Sequence, residues 1–136
     1  MLEQHLHHLV QDLELSALSP KDAQERWSLP LTPELSVSMK ELDPGVFFFA
    51  MIAVCPDVNR EHFFNTLMRA NFLGQGTGGG VIGLDSEEKF LTLSLAIPYD
   101  LNYKAFKEGL EDFINYVGFW REEVQKHIKM ASQNLY

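Results

Sequence analysis

Leu67-Met-Arg-Ala-Asn-Phe-Leu-Gly-Gln-Gly-Thr-Gly-Gly-Gly-Val-Ile-Gly-Leu-Asp85 is the segment on which the fold turns, because a helix must end inside it and a strand must begin. Upstream, Phe63, Leu67 and Ala70 form one apolar strip at helical spacing, and Phe64 and Met68 form a neighbouring strip. The spacing predicts a helix over 60–73, opened by Asp57 or Asn59 as N-cap after Pro56. Gly74 is a suitable C-cap, since glycine takes the left-handed conformation without a Cβ penalty. Val81 to Leu84, a polar turn from Asp85 to Lys89, and the alternation of Leu91, Leu93, Leu95 and Ile97 with Thr92, Ser94 and Ala96 predict a hairpin ended by Pro98. A helix covering one sheet needs an apolar stripe of about 100°. This one is wider, and Phe72 and Leu73 fall outside both strips. The excess predicts a second contact, beyond the helix's own sheet.

The pattern extends in both directions. Val46-Phe-Phe-Phe-Ala-Met-Ile-Ala-Val54 is a continuous apolar run rich in β-formers, which predicts a central strand covered on both faces. Asp43-Pro44-Gly45 supplies turn chemistry, and Leu35, Val37 and Met39 alternate with Ser36, Ser38 and Lys40, so the two strands make a hairpin. Before it, residues 16–34 carry Pro20, Pro30 and Pro33. Trp27, Leu29 and Leu31 alternate there, but Pro30 removes a ladder donor, so the strand is short and lies on an edge. Leu2, Leu6, Leu9 and Leu13 make one stripe of an opening helix. Asn102 caps a last helix whose Phe106, Leu110, Phe113, Val117, Trp120, Val124 and Ile128 keep the clearest period in the chain. The order α-β-β-β-α-β-β-α predicts one α+β domain over 1–136, with three helices and a mainly antiparallel sheet of about five strands.

Length and charge narrow the function. With 136 residues and 46% hydrophobic residues, the chain can build one core. It carries 11 basic against 19 acidic residues, for a net charge of −8. Nucleic-acid binders draw affinity from Lys and Arg on phosphates, so neither nucleic acid nor an anionic membrane is the expected partner. The single Cys55 excludes an internal disulfide and a cysteine-based zinc site. No signal-peptide pattern opens the chain, and its longest apolar run is about half of the ~20 residues a spanning helix needs. A reducing cytoplasm is the expected compartment.

Catalytic chemistry finds little support. Gly74, Gly76 and Gly79 formally satisfy G-x-G-x-x-G. A dinucleotide loop must follow a strand and open a helix, because the helix N-terminus receives the pyrophosphate; here the order is reversed. His5 and His8 lie one helical turn apart but lack further ligands for a metal. Cys55 could pair with His62, yet an active thiol needs electropositive surroundings, and only Arg60 is near it in sequence. The expectation is therefore a non-enzyme with no cofactor and no metal.

The segment Leu67 to Asp85 strongly resembles the signature of class I type III secretion chaperones, the Tir-chaperone family: an apolar helix, a Gly-Gln-Gly-Thr-Gly-Gly loop, and a short strand ending in Leu-Asp. Phe72 stands where the family often has Leu. The likeness runs from about Leu35 to Val124, including Phe113-Ile-Asn-Tyr and Trp120-Arg; residues 14–34 depart most. The resemblance implies three helices around a five-stranded twisted antiparallel sheet. It also implies a dimer built mainly on the second helix, here Phe63, Phe64, Leu67, Met68 and Asn71. It implies binding of the non-globular N-terminal part of a secreted effector, kept secretion-competent and delivered to the apparatus, without ATP or metal.

An extended segment can add a strand to an exposed edge and place apolar side chains in grooves. The candidate effector surface is therefore the opening helix (Leu2, Leu6, Leu9, Val10) and the first strands (Trp27, Leu29, Leu31, Val37, Met39). Apolar residues at helix or strand period are also ordinary core, and both roles stay open for each of these. A heterodimer subunit, or a regulator that sequesters a secretion or transcription component, is the alternative function.

Overall fold

The computed structural model describes residues 1–133. These residues form α1 (Leu2–Asp12), β1 (Arg26–Thr32), β2 (Leu35–Leu42), β3 (Gly45–Val54), α2 (Arg60–Asn71), β4 (Val81–Leu84), β5 (Phe90–Ile97) and α3 (Tyr103–Ser132). The strands make one antiparallel sheet in the order β1-β2-β3-β5-β4, so β1 and β4 are its edges. This is the α+β order read from the sequence.

The core lies between α3 and one face of the sheet. Val46, Phe48, Ala50 and Ile52 alternate inward along β3, and Phe48 meets the rings of Phe106 and Phe113 on α3 at 5.9 and 5.5 Å. Six of the seven stripe residues of α3, from Phe106 to Val124, are buried and Ile128 is half-buried, and Asn102 caps the helix as expected, accepting from Ala105 N–H at 2.8 Å. The opening helix buries Leu2, Leu6 and Leu9, while Leu13 falls just past its end and is exposed.

Four expectations are corrected. The opposite face of β3 is not covered: Phe47 and Phe49 are half-buried, and Met51 is 46% exposed. The proline-rich segment still yields a seven-residue β1, because Pro30 sits on the edge strand opposite Ser36, where the ladder shifts register anyway. α2 stops at Asn71, and Phe72–Gly74 form a separate 3-10 turn in which Leu73 takes φ 55°. Asn59 does stand at the N-cap position of α2, but in left-handed backbone and with no side-chain cap bond.

Candidate partner-binding surfaces

Among the described residues, two apolar surfaces stand out after the core is filled. The first lies where α2 runs out beside β4. Phe63 and Leu67 point inward and are buried, Phe63 against the His127 ring of α3 at 4.7 Å. Phe64 is half-buried, and Met68 is 71% exposed. Phe72 at 63% and Leu73 at 80% continue the patch, and Val81 and Leu84 on β4 are exposed beside it. Phe64, Met68, Ile82 and Leu84 line one shallow groove. Of the five residues suggested as a dimer contact, the structure thus leaves Phe64 and Met68 open to a partner and commits Phe63 and Leu67 to the chain's own core.

Asn71 has another task. Its Oδ1 accepts from Ile82 N–H at 2.8 Å and its Nδ2 donates to Ile82 C=O at 2.9 Å. The side-chain amide acts as one residue of a neighbouring strand and occupies part of the free edge of β4. Next along, Thr77 Oγ1 donates to Gly80 C=O, and Gly80 N–H donates to Thr77 C=O at 3.1 Å. An edge blunted in this way resists pairing with another strand. The apolar side chains, not the β4 backbone, are what this surface offers.

The second surface is the open face of the sheet and its β1 edge. Phe47, Phe49 and Met51 run down the middle of that face, with Ser38 beside Phe49 on one flank and Ser94 and Ala96 beside Phe49 and Phe47 on the other. Lys40 lies opposite Phe47 on β2, and both aromatic rings are half-buried. Arg26, Lys40, Phe47 and Phe49 share one cleft there. The candidate residues on the opening elements divide by exposure. Leu2, Leu6, Leu9, Trp27, Leu29, Val37 and Met39 are core; Val10 and Leu31 are half-buried. The buried side chains fix α1, β1 and β2 in place, and it is the outer edge of β1 that these elements present. Phe47, Phe49 and Met51 were missed in the sequence because a continuous apolar run looks the same whether its second face is covered by the chain or left open.

Polar contacts hold α1 to α3. His8 stacks on Tyr103 at 3.6 Å, His5 stacks on Phe106 at 5.2 Å, and His5 Nε2 lies 2.8 Å from Leu101 C=O. Asp12 accepts from Lys107 Nζ at 2.7 Å and Tyr103 OH at 2.9 Å, and these bonds, the Lys107 one first, hold its carboxyl below the usual carboxylate range. The two histidines considered as a metal pair are thus part of a helix–helix contact.

The glycine loop is closed on itself. The N–H groups of Gln75, Gly76, Thr77, Gly79 and Gly80 all donate to carbonyls between Ala70 and Thr77. Trp120 Nε1 donates to Gly76 C=O at 2.9 Å, and a Cβ built on Gly78 would meet the Tyr116 ring at 2.5 Å. A phosphate cradle needs free N–H groups, and these are spent. Cys55 is buried at the end of β3, with Arg60 Nη2 3.8 Å from its sulfur.

The model of the Tir chaperone protein (CesT) family matches residues 4–121. A Chlamydia pneumoniae protein is 24% identical over 126 residues, covering 91% of this chain and 96% of that one. Among solved structures, the ExsC-ExsE complex contains a chain of the same fold, with a TM-score of 0.74 at 20% identity, covering 90% of this chain and 92% of that one. A chain of the HopA1-SchA chaperone-effector complex follows at 0.66 and 14% identity, covering 89% and 93%. The matched span includes most of α1, the whole sheet, the glycine loop and most of α3, so the chain belongs to the Tir chaperone protein (CesT) family, the type III secretion chaperones that its Leu67–Asp85 segment resembles.

Proposed function

We propose that this chain works as a dimer that holds the N-terminal, non-globular segment of a secreted effector in an extended form, in the cytoplasm, and passes it to the secretion apparatus. The observation that carries the reading is the open sheet face. Phe47, Phe49 and Met51 stand on it in a row along the central strand β3, two strands in from β1 and its free edge. A long extended segment that pairs with the edge along one stretch and crosses the face along another gains main-chain bonds from the first and apolar burial from the second. Ordering such a segment costs several kcal/mol, so a long contact is needed, and one sheet face with its edge supplies length rather than depth. No catalytic step and no nucleotide are called for, because burial and strand pairing are the driving forces. The α2–β4 patch serves a different contact, with a second copy of the chain. A chain of this fold has been solved in the HopA1-SchA chaperone-effector complex, which supports an effector as the partner here.

Co-purification from the native cell, followed by limited proteolysis and hydrogen exchange of the complex, tests the reading. The expected outcome is one secreted partner whose N-terminal segment becomes protease-resistant and whose downstream domain stays folded. A partner engaged only through a folded domain would remove the effector reading in favour of a sequestering regulator.

A further inference from the structure

β2 and β3 pair only from Ser38 opposite Phe49 to Leu42 opposite Gly45. Yet β2 begins three residues earlier, at Leu35, held there by β1, and β3 runs on past Phe49 to Val54, held by β5. The sheet is split along this line. Main-chain groups on the two lips lack ladder partners, and each such group is destabilising if it is also kept from water.

Arg121 enters the split from α3. Its Nε donates to Ile52 C=O at 2.8 Å, and its Nη2 donates to Glu34 C=O at 2.8 Å and to Met51 C=O at 3.2 Å. Glu34 belongs to the turn between β1 and β2; Met51 and Ile52 lie on β3, where the ladder to β5 bulges. One guanidinium therefore joins the tip of the β1–β2 hairpin to the central strand. It surfaces in a cleft with Ser36, Ser38, Phe49 and Met51, residues of the open face, although it starts from the helix side. Its three hydrogen-bond partners are neutral carbonyls, so its role there is geometric rather than charge pairing. Arginine suits this position because its rigid fork is always protonated and carries five donors, whereas lysine offers one compact charged tip.

We infer that Arg121 is the positioning residue for the β1–β2 hairpin: its guanidinium replaces the missing rungs between β2 and β3 and so sets how the β1 edge stands relative to the Phe47–Met51 row. The consequence for partner binding rests on the proposed function, while the bridge itself rests only on the three hydrogen bonds. A hairpin free to swing about its five remaining paired positions would present edge and row to an extended segment in many relative orientations, and binding would have to order them first.

The test is residue-resolved amide exchange on the free protein, comparing wild type with Arg121→Ala and Arg121→Lys. In Arg121→Ala, amides of residues 35–38 and 52–53 should exchange about tenfold or more faster, since the two lips, no longer tied through their carbonyls, open more often, while β5 and α3 keep their protection. Arg121→Lys should recover only part of that protection. Guanidinium ion, added to Arg121→Ala far below denaturing concentration, should restore it, and ammonium at the same concentration should not. Unchanged protection along the split, or full rescue by lysine or ammonium, overturns the inference. If Arg121→Ala does not fold, Arg121→Lys decides alone: wild-type protection at 35–38 refutes the bridge, and selective loss supports it. A partner segment captured as above should bind Arg121→Ala about tenfold or more weakly with the dimer intact, and guanidinium should restore the affinity. If wild type captures no such segment, the functional reading fails while the exchange result still judges the bridge.

Discussion

Leu73 is held in a conformation that its own chain does not repay. At φ 55° and ψ 21° it sits in the left-handed region, which costs an L-residue about 1–2 kcal/mol, yet it is 80% exposed. Leu73→Gly separates two contributions. Relief of the backbone strain is offset by the greater freedom of glycine in the unfolded chain, about 0.5–1 kcal/mol, so the single chain should be unchanged or gain up to about 1.5 kcal/mol. In a symmetric dimer each copy contributes the side chain once. Burying a leucine is worth about 1.5–3 kcal/mol, so two copies carry about 3–6 kcal/mol, and the dimer Kd should rise by about a hundredfold to ten-thousandfold. Sedimentation equilibrium measures the second quantity. Urea unfolding measures the first, with Leu73→Gly placed in a Met68→Asp background so that dissociation does not contaminate it. Opposite signs in the two assays are the expected signature. A wild-type Kd in Leu73→Gly would put the contact between copies elsewhere, and a clear loss of stability in the monomeric background would show that the Leu73 side chain packs within its own chain.

Two further outcomes follow from the loop and from α1. Gly78 and Gly79 both have positive φ, but only Gly78 faces the Tyr116 ring, at 2.5 Å from a built Cβ, whereas Gly79 meets nothing closer than 3.9 Å. Gly79→Ala should cost about 1–2 kcal/mol in urea unfolding from backbone strain alone; Gly78→Ala should cost more, and truncating Tyr116 to Ala should cancel the difference. The Asp12 carboxyl is depressed by Lys107 and Tyr103, and the Lys107 ammonium is raised by Asp12. A lowered carboxylate stabilises above its unfolded pKa and stops doing so as pH falls through the folded one; the raised lysine loses its contribution as pH rises through its own folded value. The α1–α3 contact should therefore be tightest at intermediate pH and loosen in acid below the usual carboxylate range. Asp12→Asn should flatten that acid limb, as read by exchange of the α1 amides; an unchanged limb would assign acid sensitivity to other carboxylates, Glu41 among them, whose carboxyl is lowered by the Leu2 N–H.

Most of the architecture could be read from periodicity. The order of elements, the Asn102 cap and the edge position of β1 need only local spacing and the chemistry of proline, asparagine and glycine. What spacing cannot supply is which long-range group meets which. Asn71 reads as a helix residue near an apolar patch, and only the return of the chain eleven residues later puts its amide on Ile82. Arg121 reads as one more cation on a helix, and only the split between β2 and β3 gives it three carbonyls. Burial is similarly ambiguous. Leu2, Leu6 and Leu9 form the same stripe whether they face a partner or the core, and the fold commits them to the core.

The two places where apolar pattern exceeded what the chain could cover bear most directly on function. The run Val46 to Val54 calls for cover on both faces, and the arc of α2 calls for more than one sheet to pack on. The fold satisfies half of each demand: α3 takes Phe48 and its inward neighbours, and the core takes Phe63 and Leu67. Phe47, Phe49 and Met51 are left on one surface, and Met68, Phe72 and Leu73 on another. Leaving large side chains exposed forgoes about 1.5–3 kcal/mol apiece, and Leu73 is held in strained backbone besides. The surfaces also differ in kind. The α2–β4 patch sits beside an edge already stopped by Asn71 and Thr77, which favours side-chain packing against another α2–β4 patch. The sheet face adjoins the β1 edge, which favours a strand. One chain with one surface of each kind is what a dimer that carries an extended polypeptide requires.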